Sequence, residues 1–238
     1  SSGINEPDYS IKELYLDLYF DFLDLRIGKQ QIIWGKADGA FITDVISPKD
    51  LSSFILPDFD EIRMGVSGVK ADLYLDYVDF EFVWVPMFTP AEMPSGIWAV
   101  PMTLPNGTAI NPPIITLPDY ALKNSEYFGK FSYMGSIIDL ELMGAYMWDD
   151  LPVLSFDSMD GATPLFNGNY ERVLMAGGSF STDLSGLIIR SEGAFYKDKS
   201  FTSLAGALPS DMTVIKKNVV NYMFGLDYSI AGISFGTQ

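Results

Sequence analysis

Neither cysteine nor histidine occurs in the 238 residues. Their absence removes a Ser–His–Asp triad, a thiol nucleophile and an ordinary zinc site together. Positive charge is scarce: 15 Lys and Arg stand against 31 Asp and Glu, a net charge of −16. A chain of that sign repels phosphate, which argues against nucleic acid as a partner. No stretch approaches the roughly 18 consecutive apolar residues that a membrane-spanning helix needs. No secretory leader is recognisable and the first residue is Ser1, so a leader has been removed or the sequence starts late. Lack of cysteine decides nothing about redox compartment, since cytosolic and many envelope proteins share it.

What is present is alternation. Leu14, Leu16, Leu18 and Phe20 fall on one side of a period-two pattern, with Glu13, Tyr15, Asp17 and Tyr19 on the other. After a turn at "DFLD", Leu23, Leu25 and Ile27 resume the apolar side opposite Asp24 and Arg26. The unit recurs as strands expected near 62–74 and 78–86, 124–134 and 137–148, 170–182 and 187–197, and 219–228 and 232–238. Apolar faces include Val69, Ala71 and Leu73, then Ile138, Leu140 and Leu142, then Val220, Tyr222 and Phe224. Ten strands and no long helix follow, an all-β chain with apolar residues at 48%.

Turns inside each hairpin are tight, whereas the links between hairpins are long, near 35–61, 87–123, 149–169 and 198–218. Structureless loops beyond about 12–15 residues are uncommon in compact domains and usually functional. Strict alternation of tight turn and long loop puts the long loops at one end. The strands, at about 9–12 residues, exceed the usual five or six of soluble sheets. These features together predict an antiparallel transmembrane β-barrel, residues 1–238 forming one barrel domain or barrel portion, with an apolar face toward lipid and a polar face toward a wet lumen. Aromatic girdles fit: Tyr19, Phe20, Phe22, Tyr77 and Phe80 near the turns, Trp34, Trp84 and Trp148 at the loop ends. A soluble β-sandwich explains the alternation but not the strand length or the loop asymmetry.

On this phase the inner wall carries the acids Glu13, Asp17, Asp72, Asp79, Glu81, Glu126, Asp139, Glu141 and Glu192. The bases Arg26, Lys70, Lys130 and Arg190 oppose them. Charged rings set ion preference in pores, and an acidic excess favours cations or neutral solutes. The plainer reading is cross-strand ion pairing that holds the wall, such as Asp17 with Arg26. Acids in "LPDFDE" (56–61) and "SFDSMDGA" (155–162) lack EF-hand spacing and read as solvated loops. Asp149-Asp150 is a poor glycosidase pair, because adjacent strand residues point to opposite faces. No enzyme activity, metal or cofactor is expected.

The segment "LDLRIGKQQIIWGKADGAFITDVISPKDL" (23–51) resembles a family of Gram-negative outer-membrane proteins carried as a domain of unknown function and treated as porin-like. The recurring phrase is matched at Arg26, Gly28, Gln30, Trp34, Gly35, Asp38, Gly39, Thr43, Asp44, Pro48, Asp50 and Leu51. "FEFVWVPMFTPAEMP" (80–94) is similar to that family's strand, Trp and Pro-rich loop. The resemblance implies the bacterial outer membrane, with the bilayer, outer-leaflet lipopolysaccharide and small solutes as partners. A homo-oligomer fits as well. Such proteins are usually longer and commonly end on an aromatic residue, whereas this sequence stops at "ISFGTQ", so it is expected to be part of a larger barrel.

The loop after Trp34 carries the turn signal Asp38-Gly39 and the cap signal of "SPKDL". It either folds into the lumen and narrows a pore, or braces the wall without meeting solute. The stretch from Pro86 to Pro118 holds eight of the 14 prolines, and Pro105-Asn106-Gly107 suggests a small hairpin. The functional expectation is passive diffusion of small solutes. The alternatives are a non-conducting barrel whose loops bind a partner or surface polymer, and a soluble sugar-binding sandwich. A hydrophobic solute would direct attention to Ile110, Ile114, Ile115 and Leu117.

Overall fold

The computed structural model describes residues 11–35, 40–52, 61–94, 111–161, 163–206, 208–230 and 233–237. Thirteen strands form among them: β1 (Leu14–Tyr19), β2 (Leu23–Gln30), β3 (Val66–Tyr74), β4 (Val78–Val85), β5 (Ile114–Thr116), β6 (Glu126–Met134), β7 (Ile138–Trp148), β8 (Val153–Asp160), β9 (Thr163–Asn169), β10 (Arg172–Leu184), β11 (Leu187–Leu204), β12 (Met212–Ile230) and β13 (Ile233–Thr237). Ten of them make one sheet in the order β1-β2-β3-β4-β6-β7-β10-β11-β12-β13, every pair antiparallel. The chain is therefore all-β, with a large meander as its frame. Its edges, β1 and β13, do not pair with each other, so among the described residues the sheet is open. Among the described residues no helix is long and apolar enough to cross a membrane, which says nothing about crossing with strands.

Hairpin turns are tight where expected. Ser185 and Gly186 adopt φ of 57° and 96° between β10 and β11, the left-handed pair that matches the twist of a two-residue hairpin. Two expected long loops are instead largely strand. The link 198–218 shrinks to 205–211, because β11 and β12 stay paired beyond a register shift between Tyr196 and Lys199, out to Leu204 and Met212. Phe201, Thr202, Val214 and Ile215 in that extension are good strand formers, and the charged residues among them masked the pattern. Within 149–169, β8 and β9 pair as a hairpin turning at Gly161, where φ is +60°. β9 also pairs in parallel with β5, making a three-stranded sheet.

The two faces of the large sheet differ in kind. Leu14, Leu16, Phe82, Leu142, Tyr222 and Phe224 lie on one face and are exposed, Leu14 at 68% and Tyr222 at 81%. The other face carries the charged positions and also the buried core, which gathers Val66, Val83, Val85, Phe128, Met143, Ala145, Met147, Val173, Met175, Ala194 and Tyr196 from six strands. Ile32, Trp34, Ile42 and Ile46, from the segment after β2, complete it. In an ordinary soluble sheet the apolar face is the one that packs inward. Here a broad apolar face is left outside, far larger than the scattered exposed residues of a typical monomer.

Candidate functional site

The inner face has two zones along each strand. Toward the tight turns it is charged. Arg26 Nε lies 2.7 Å from Asp17 Oδ1, the pairing expected from adjacent strands, and its guanidinium sits 3.8 Å above the Tyr15 ring. Lys70 bridges Asp72 at 2.9 Å and Glu81 at 3.9 Å, and Lys130 meets Glu81 at 2.9 Å. The Ser179 hydroxyl donates to Glu141 at 2.6 Å, and the Ser181 hydroxyl to Asp139 at 3.4 Å. Arg190 pairs with Asp227, which alternation also puts on the polar face of its strand. The charges thus form a ladder across neighbouring strands, each cation held by the acid beside it.

Toward the long loops the inner face is apolar and covered. β2 ends at Gln30, four residues before the alternation suggests, and the chain turns inward. Trp34 is therefore not a girdle residue: it is 2% exposed, its indole Nε1–H donates to Glu81 Oε1 at 2.6 Å, and its ring meets Phe128 edge-on at 6.1 Å. Gly35 follows at φ +89°, where a Cβ would stand 2.6 Å from Glu192 Oε1 and 2.8 Å from Thr43 Oγ1. Only glycine fits there, which explains the Trp-Gly pair. Thr43 donates to Glu192 Oε1 from its backbone N at 2.8 Å and from its hydroxyl at 2.7 Å. The Tyr196 hydroxyl donates to the Ile42 carbonyl at 2.8 Å. Ser47 both receives the Ile32 N–H, at 2.9 Å, and donates to the Ile32 carbonyl, at 3.0 Å.

Residues 31–35 and 40–51 thus belong to a strap that starts at β2 and reaches β4 through Glu81 and β11 through Glu192. Its far end is tied by Asp44, whose Oδ2 accepts from Arg63 Nε at 2.7 Å, and by backbone bonds from Asp50 to Ile62 and from Leu51 to Glu92. Pro48 is fully buried, while Asp50 accepts from the Ser52 N–H. Asp38 and Gly39 lie outside the described residues.

Three acids expected on an open wall belong instead to this packing. Glu81 and Glu192 anchor the strap, and buried Glu126 accepts the Trp148 N–H at 2.9 Å. Glu13 lies beyond the start of β1 and accepts the Gln31 N–H at 2.7 Å. Alternation assigns the face of a side chain but not what covers it. Asp79, with Asp72, Glu81 and Lys130, borders a small polar cavity nearer the turns.

A second cavity, of about 260 Å³, opens where the strap meets the loop end of β7 and β11. Phe41, Val45, Leu51, Ala91, Met147, Trp148, Leu151 and Tyr196 give it apolar walls, and Asp44, Lys49, Asp149, Asp150 and Lys199 supply charge. Asp149 and Asp150 share this cavity because they follow β7 in a turn rather than continuing as strand. Burial pushes the Asp150 carboxyl up to about 8, against the pull of Lys49. Burial likewise holds the Lys49 ammonium below its usual range, although Asp44 and Asp150 oppose the shift. In the "SFDSMDGA" stretch, Asp157 accepts from Ser158 and Asn167 on the outer hairpin. Ile114 and Ile115 lie in β5 and are exposed, and Leu117 follows it. Ile110 and the expected hairpin at 105–107 lie outside the described residues.

A family model described as a protein of unknown function, DUF1302, matches residues 3–219. The chain belongs to the DUF1302 family. No curated protein and no solved structure matches it. Within this DUF1302 chain the match covers both the strap and the sheet it packs on, so the Trp34–Glu81 and Thr43–Glu192 contacts lie inside the family's extent.

Proposed function

We propose that this chain forms wall and constriction of an outer-membrane, porin-like β-barrel that passes small solutes passively, without catalysis. The observation that carries the reading is the inverted polarity of the sheet: exposed apolar side chains on one face, ion pairs and a buried strap on the other. Lipid as the outer solvent accounts for this arrangement, since hydrocarbon accepts Leu, Phe and Tyr while the lumen hydrates the charges. The backbone of β1 and β13 requires partners in a bilayer, which further strands of a larger barrel supply.

In this reading the turn end of the lumen is the selective part. Asp17, Asp72, Asp139 and Glu141 outweigh the cations that pair with them and favour cations or neutral solutes. The strap narrows the loop end, and its anchors in Glu81 and Glu192 keep it from moving aside. The test is single-channel conductance of the full-length protein in a planar bilayer under a KCl gradient. Stable steps with cation preference are expected, and Glu141→Gln weakens that preference. Insertion without current contradicts the open channel.

A second reading has its own observation. The strap residues Ile32, Trp34, Ile42 and Ile46 share one buried cluster with sheet residues from Val66 to Tyr196, as a fixed plug would. A closed barrel whose loops bind a partner follows from it, and the same experiment separates the two.

A further inference from the structure

The 260 Å³ cavity beside the strap is not needed for a pore, and its chemistry is specific. Each of its charged groups but one is already engaged. Lys49 Nζ donates to the carbonyls of Asp44 at 2.8 Å and Ser47 at 2.7 Å. Asp44, 5% exposed, pairs through Oδ2 with Arg63. Lys199 Nζ lies 2.5 Å from Asp149. Asp150 is the exception: among the described residues no hydrogen bond or ion pair reaches its carboxyl, though it lines the cavity and keeps part of its surface open to it. The rest of the lining is a ring of apolar and aromatic side chains, with Trp148 fixed by its indole N–H bond to the Asn124 carbonyl at 3.0 Å and by Phe88 packed at 6.2 Å. Apolar walls with one or a few convergent polar groups are the usual composition of small-molecule sites, and this volume is near the low end of their range.

We propose that this cavity binds a small, largely apolar ring compound carrying one uncharged hydrogen-bonding group, with the ring against Trp148, Phe41 and Met147 and the polar group on Asp150. The charge balance supports an uncharged group. No cation in the cavity is free to receive a carboxylate, since Lys49 is held by the Asp44 and Ser47 carbonyls and Lys199 by Asp149. Burial, by keeping Asp150 largely protonated near neutral pH, disfavours an ammonium as well and leaves a carboxyl that both donates and accepts. The inference goes beyond the pore reading and does not depend on conductance: a plugged barrel retains this cavity.

The test is equilibrium dialysis of 1-naphthol against the intact protein in detergent, with protein-free micelles as the blank. The expected result is saturable one-site binding, with 1-naphthoate and 1-naphthylmethylammonium at least about tenfold weaker, the order of cost for burying an unmatched charge. Leu151→Trp, at an exposed position on the cavity wall outside the strap, fills the space and abolishes the binding. Asp150→Ala weakens naphthol about tenfold or less, the range of one hydrogen bond. Absence of saturable binding, naphthoate binding as tightly as naphthol, or binding indifferent to both variants overturns the assignment. None of these outcomes bears on whether the protein conducts, which the bilayer recording answers separately.

Discussion

Two zones of one inner face meet along a row through Glu81, Lys130, Glu141, Ser179 and Glu192. On the turn side of that row the inward positions are polar: Asp72 pairs with Lys70, Arg190 with Asp227, Asp139 accepts from Ser181, and Asp79 borders the small polar cavity. On the loop side the same strands carry Val83, Phe128, Met143, Met175 and Ala194, sealed by the strap. Strand, register and outer face are continuous across the row. Only the covering differs, and the side chains follow it: where the inner face meets open space its charges pair laterally, and where the strap covers it apolar contact takes over. The residues on the row serve both zones. Glu81 accepts from Trp34 in the strap and from Lys130 on the wall.

The comparison breaks most visibly at the strap. Trp34→Ala removes a fully buried indole and leaves Glu81 without that donor, a loss of about 3–5 kcal/mol. Denaturant unfolding in detergent should show it, together with exposure of the loop-side core to a hydrophobic dye. Gly35→Ala follows. A Cβ at φ +89° meets Glu192 and Thr43, and the strain costs about 1–3 kcal/mol. The same assay should place it below the Trp34 variant, with the wall pairs unaffected.

Glu192→Gln keeps the shape but weakens acceptance of the two Thr43 donors. A cost of about 1–3 kcal/mol is expected, with faster proteolysis in the strap as a second readout. Asp150 gives a pH effect rather than a shift at one pH. Its folded carboxyl titrates near 8 while an unfolded one titrates near 3.8. The folded state therefore holds the extra proton between those values, and stability falls as pH rises through that window. Thermal melts from pH 5 to 9 should show a decline that Asp150→Asn flattens. Smallest is Asp17→Asn on the turn side. It breaks a partly exposed pair with Arg26, leaves stability within experimental error, and registers only as a change in ion preference.

Much of the sheet was legible because period-two alternation survives wherever one face is apolar and the other polar. Strands β3, β4, β6, β7 and β10 lie within a few residues of expectation for that reason, and the Asp17–Arg26 pair follows from the register of the β1–β2 hairpin. The pattern failed where both faces are apolar or both are polar. Trp34 ends the unbroken apolar run Ile32-Ile33-Trp34, which assigns no face, and its side chain turned inward, since a buried indole with a carboxylate partner leaves no trace in periodicity. The outer extension of β11 and β12 failed in the opposite way, its lysines and serines reading as loop. The strap's anchors in Glu81 and Glu192 lie 47 and 149 residues from Trp34 and Thr43. No local signal spans those separations; the motif at 34–44 marked the strap, while its receptors looked like any other wall acid.

The proposed barrel wall has its apolar face toward lipid and its charged face toward water. The absence of cysteine makes single-cysteine labelling clean. The first measurement is therefore the reaction of Glu141→Cys and Leu142→Cys, neighbours on opposite faces of β7, with a membrane-impermeant maleimide in the full-length protein reconstituted into vesicles. The account predicts that Cys at 141 reacts, and that Cys at 142 resists the reagent while a spin label there is relaxed by oxygen dissolved in the lipid. Equal reaction at both sites, or reaction at 142 alone, would contradict it.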